Sequence, residues 1–179
     1  MLKLTIGATE AYDEEKEEFV DIGGAEIELE HSLVSLSKWE SEFQKPFLES
    51  KELSPLEILG YVRAMLLTPV SDEVLVGLTN EDVLKINDYI SSSQSATTFP
   101  PVRSRTSRGE RVTSELIYYW MVAYQIPIEC ETWNLNRLLN LVKICGIKNS
   151  KPQKLSKGEQ ARQMYELNQA RKANLGTTG

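Results

Sequence analysis

The chain has 179 residues, with 41% hydrophobic and 26% charged content, enough for one ordinary domain with extensions. Its formal charge of −6 and pI near 5.0 argue against a dedicated nucleic-acid binder. Its longest apolar run, Leu116 to Tyr124, is far short of the roughly 20 residues a bilayer span needs.

Charge is unevenly spread. Residues 1–60 hold fifteen acids against five bases, a net of −10. Residues 143–179 hold eight bases against two acids, a net of +6. An acidic head and a basic tail can attract each other between copies, serve two partners, or be plain solvated surface. The N-terminus turns acidic at once and lacks a signal peptide's apolar stretch, which points to the cytoplasm. Cys130 and Cys145 do not resemble a secreted disulfide framework, and Cys145 reads as a small core residue.

Leu2, Leu4 and Ile6 alternate with polar residues, which predicts a strand. An acidic loop, residues 13–18, follows. Phe19–Ile22 and Ala25–Leu29 then flank Gly23-Gly24, predicting a β-hairpin with one acidic and one apolar face. Ser37 and Glu40 predict a capping box for a helix bearing Trp39 and Phe43, stopped by Pro46. Ser54-Pro55-Leu56-Glu57 is the clearest helix start, and that helix is expected to end before Pro69. Residues 72–78 fit either strand or helix. Thr79 and Asp82 cap a helix with the stripe Val83, Ile86 and Ile90.

Residues 91–112 break the pattern with Ser/Thr, Pro100-Pro101 and four arginines, three of them Arg103, Arg105 and Arg108. This is either a basic arm for a partner or a mobile surface loop. Thr113 or Ser114 caps the next helix, whose nine consecutive apolar residues predict burial on all sides. A last core helix begins near Trp133. Its apolar face is Leu135, Leu138, Leu139, Val142 and Cys145, its polar face Asn134, Asn136, Arg137, Asn140 and Lys143, and its C-cap Gly146. The polar face is either solvated or a set of directional contacts. Ser156 and Glu159 cap a final helix to about Ala173, too polar to be held by its own core and so expected to project or to order on a partner.

The reading is therefore an α+β, predominantly helical protein. A small N-terminal antiparallel hairpin or sheet packs on a helical core, and a C-terminal helix projects. The expected division is a globular part, 1–149, comprising a β-rich acidic stretch (1–31) and a helical core (37–149), followed by a basic helix and tail, 150–179. The single histidine, His31, has no metal-site spacing around it, and no nucleophile elbow, phosphate loop or dinucleotide fingerprint occurs. No cofactor is expected, and no enzymatic activity.

Several stretches together resemble a family of small tailed-bacteriophage proteins of the tail gene cluster, of the tail assembly chaperone kind. They are LEHSLVSLSKWE (29–40), ATTF (96–99), TSELIYYWM (113–121), WNLNRLLNLVKICGIKN (133–149) and LNQARKANLGTTG (167–179). The order and spacing match over most of the chain. Two positions depart from the family's pattern: Asn134 stands where a histidine is expected, and Ala170-Arg171-Lys172 is less arginine-rich.

The resemblance implies a non-enzymatic factor in the infected host's cytoplasm that binds the tape-measure protein, a long helical rod, or tail tube subunits. The contact is expected at Met164, Tyr165, Leu167 and Arg171, with Arg103, Arg105, Arg108, Asn136, Arg137 and Asn140 as further candidates. Alternatives are a virion component of the tail, baseplate or head–tail joint, and a nucleic-acid-binding accessory. Self-association is a further option.

Overall fold

The structure is a computed structural model that describes residues 1–13, 18–50, 52–99, 111–149 and 157–176. The chain is α+β and predominantly helical. Four short strands come first: β1 (Leu2–Ile6), β2 (Thr9–Asp13), β3 (Glu18–Ile22) and β4 (Ala25–Leu29). Seven α-helices follow among the described residues: α1 (Leu33–Phe43), α2 (Pro55–Met65), α3 (Asp72–Val76), α4 (Asn80–Ser91), α5 (Ser114–Ala123), α6 (Leu135–Asn149) and α7 (Lys157–Leu175).

Gly23-Gly24 is not the hairpin turn that the alternation predicts. β4 pairs with β1, from Leu2↔Leu29 to Ile6↔Ala25, and β3 pairs with β2, from Thr9↔Ile22 to Asp13↔Glu18. One antiparallel register runs through both pairings, so the four strands form a single long ribbon interrupted at Gly7-Ala8 and Gly23-Gly24. The pairing of the two arms continues past those glycines to Asp13↔Glu18. A Cβ on Gly24 would lie 2.5 Å from the Ile6 carbonyl oxygen, so glycine is required by the close approach of the two arms.

The inner half of the ribbon is secured from below. Leu4, Ile6, Ile27 and Leu29 are buried, whereas Lys3 and Glu28 pair across the outer face at 2.6 Å. The free edge of β4 is closed by the chain leaving α2, through Leu67 N–H to the Glu28 carbonyl and Glu30 N–H to the Met65 carbonyl, each 2.9 Å.

α1 divides the interior. Its Trp39 packs with β1, β4, α2, α3 and α4, among Tyr61, Val62, Met65, Leu75 and Ile86. Its Leu33 and Leu36 pack with α5, α6 and the 3-10 turn Ile128–Thr132, against Ile117, Met121, Leu135 and Leu138. The Ser37 capping box predicted for α1 is overturned. The helix starts five residues earlier, at Ser32, whose side chain accepts from Ser35 N–H while Ser35 Oγ accepts from Ser32 N–H at 2.8 Å. Burial of Leu33 and Leu36 draws those residues into the helix. The boxes at Ser54/Glu57 and Thr79/Asp82 form as the sequence predicts, and residues 72–76 are helical.

Two further expectations are corrected. α5 is not buried on all sides, because Ile117 and Met121 face the core while Tyr119 and Val122 are exposed. Gly146 does not end α6, which continues to Asn149. A Cβ there would come within 3.2 Å of the Tyr124 hydroxyl, so the glycine makes room for α5's C-terminal tyrosine.

Candidate functional site

The sole histidine is a structural residue. His31 Nδ1 lies 2.5 Å from the Tyr61 hydroxyl, and both residues are buried. Burial holds His31 neutral by lowering its pKa to about 4, with Glu30 opposing, and the same burial raises the tyrosine. The Ser32 and Ser35 hydroxyls are taken up in the α1 cap, and Ser35 Oγ also donates to the Ser32 carbonyl at 2.8 Å. Among the described residues no group of three His, Cys, Asp or Glu side chains converges as a metal would require. Cys130 and Cys145 are both free thiols.

Polar groups converge instead at seams between elements. Glu30 accepts from the Tyr89 hydroxyl at 2.6 Å and from Asn134 Nδ2 at 3.4 Å, and it pairs with the Met1 ammonium at 2.7 Å. Burial, and then the bond to Glu30, push Tyr89 up to about 12. Glu40 accepts Phe47 N–H at 3.0 Å and Ser114 N–H at 2.7 Å, which places a buried carboxylate at the N-terminus of α5, where the helix dipole favours it. Among these groups the sequence singled out Glu40, for a capping box it does not make, and Asn134, for the polar face. Their signal there was only helical spacing, which says nothing of partners far along the chain.

The polar face expected on α6 is largely spent on the fold. Asn134 Oδ1 accepts Asn136 N–H at 3.1 Å and caps the helix. Asn136 donates both amide hydrogens, to the Ile90 carbonyl at 2.7 Å and the Ser92 carbonyl at 2.8 Å, so it closes the C-terminus of α4. Arg137 lies 4.2 Å over the Trp133 ring, and Asn140 is half-buried. Lys143 sits 4.1 Å from the centre of the Phe99 ring. Asn136 and Lys143 therefore tie residues 90–99 to α6. Arg103, Arg105 and Arg108 lie outside the described residues.

α7 carries the remaining candidates. Among the described residues no other element packs closely along it. Met164, Tyr165 and Arg171 are exposed, and Leu167 is half-buried. The four do not form one face, because Tyr165 and Leu167 project about 200° apart around the helix axis. Arg171, Asn174 and Leu175 line a cleft of about 510 Å³ with Ser93, Ser95, Ala96 and Thr98. This end of α7 thus looks onto the same segment that α6 holds, and Met164 and Tyr165 lie on the turns before it.

No protein-family model, curated protein or solved structure matches the chain. Among the described residues no helix is long and apolar enough to cross a membrane.

Proposed function

We propose that the protein is a non-enzymatic tail-morphogenesis factor, a tail assembly chaperone that receives the helical tape-measure protein or tail tube subunits in the host cytoplasm. The observation that carries the reading is the contrast between a helix-rich body closed by buried polar ties and α7, a 19-residue helix that exposes Met164 and Tyr165. A helix with so little apolar surface is not secured by a core of its own, and lying along another helix would order it. A chain truncated after Asn149, assayed for binding to the tape-measure protein, tests it. The expected outcome is loss of binding, and retention at full strength would sink the reading.

The exposed Tyr119 and Val122 of α5 also suit a virion component, whose apolar faces are covered by neighbouring subunits. Mass spectrometry of purified particles separates the two, since a chaperone leaves the finished virion and a structural subunit stays.

A further inference from the structure

α5 is apolar from Leu116 to Ala123, yet one side of it is uncovered. Tyr119 is 65% and Val122 75% exposed, and Glu115 stands one turn before them on the same side. Two adjoining exposed apolar side chains on one side of a helix offer a contact. α7 has the complementary problem. Ala161, Met164, Tyr165, Asn168 and Lys172 recur at helical spacing on one side, with Met164 56% and Tyr165 66% exposed.

Residues 165–172 of α7 match residues 115–122 of α5 in length and charge. Laid antiparallel, Glu115 meets Lys172, Tyr119 meets Asn168 and Val122 meets Tyr165. Each paired stretch, 115–122 and 165–172, covers eight residues, about 10 Å of helix from first to last. The acidic end of one faces the basic end of the other, and the apolar ends coincide. Within one chain, the C-terminal end of α7 is turned to residues 93–98, so α5's outer side is left uncovered by its own α7.

We propose that α7 of one copy docks antiparallel on the outer side of α5 of a second copy. The exchange is reciprocal, so a two-fold dimer satisfies both strips of both chains at once. It goes beyond the chaperone reading and stands without it. It also makes self-association a competitor for any helical partner that α7 receives.

The test uses the full chain in sedimentation equilibrium. A dimer is expected, weakened roughly tenfold or more by Val122→Glu and likewise by Tyr165→Glu. Both side chains are exposed, so thermal unfolding followed by circular dichroism is expected to stay cooperative in each variant. Position-specific trapping supplies the second measurement. In a Cys145→Ser background, a Val122→Cys chain mixed with a Tyr165→Cys chain is expected to form the mixed disulfide between copies. A monomer at every attainable concentration, a dimer indifferent to Val122→Glu, or trapping only between two Val122→Cys chains would each overturn the proposal. Val122→Glu leaves α7 intact, so failure here is separable from failure of tape-measure binding.

Discussion

The interior on the two sides of α1 is held by different chemistry. On the sheet side, Trp39 sits among Phe43, Phe47 and Tyr61, with ring centroids 4.9 to 6.4 Å from its own, and titratable groups crowd the edges. Trp39 donates its indole N–H to the Glu57 carbonyl, His31 meets Tyr61, and Glu57 closes a cap with Ser54 while pairing with Lys45. On the helix side the centre is aliphatic: Leu33, Leu36, Ile117, Met121, Leu135 and Leu138. Two layers built around one shared helix can therefore differ in what disturbs them. The sheet side adds a dependence on protonation state to that on packing, whereas the centre of the helix side depends on packing alone.

The sharpest break is Trp39→Ala, which removes a fully buried indole from the sheet side. Its expected cost is about 3–5 kcal/mol in urea denaturation, enough to unfold a marginal chain. A cost below that of an exposed substitution would show that the aromatic cluster is not the centre of this side.

Next is acid. His31 takes its proton near 6.5 when unfolded and near 4 when folded, so the unfolded chain binds more protons throughout that window. Stability is full above 6.5 and falls as the pH drops towards 4, by roughly 3 kcal/mol. His31→Gln is expected to flatten this part of the profile, and an unchanged slope would remove the assignment. Glu57, lowered from 4.5 to about 2 by Lys45 first and the Ser54 contacts second, keeps its contribution to lower pH and loses it only below 4.5.

The smallest effect tests the seam. Glu40→Ala leaves the amides of Phe47 and Ser114 without their acceptor, at a cost of about 2 kcal/mol. It is expected to loosen the start of α5 before the sheet side responds. Amide exchange at Ser114, compared with that of Leu4, reports whether the two sides respond separately.

Much of this was legible in the sequence because the deciding forces are local. Ser54-Pro55-Leu56-Glu57 and Thr79/Asp82 close hydrogen bonds within one turn, and Lys45 reaches the other oxygen of Glu57 without displacing Ser54. Three misreadings share the opposite cause. Gly23-Gly24 looks like a turn, but Ile6 and Gly7 from the opposite arm decide its shape. Ser37 and Glu40 match a capping box, but Glu40 is claimed by Phe47 and Ser114. Gly146 looks like a helix stop, yet the Tyr124 ring explains it. The candidate site followed the same rule. α7's polarity was readable from composition, but the use of Asn136 as a cap for α4 depends on a partner 44 to 46 positions away.

The seam where β4 runs into α1 also carries a kinetic meaning. There the His31 carbonyl accepts from Leu135 N–H at 2.7 Å, and Ser32 bridges Asn134. Glu30 and Asn134, which meet at the same place, lie 104 positions apart in sequence. The ribbon and the α1–α2 pair close short loops, whereas this junction closes one of the longest in the chain. Closing so long a loop costs more chain entropy than closing the ribbon, so the junction is expected to form late. Asn134→Ala is then expected to speed unfolding more than it slows folding, making the Glu30–Asn134 contact a latch on the molecule's lifetime, which stopped-flow kinetics would read.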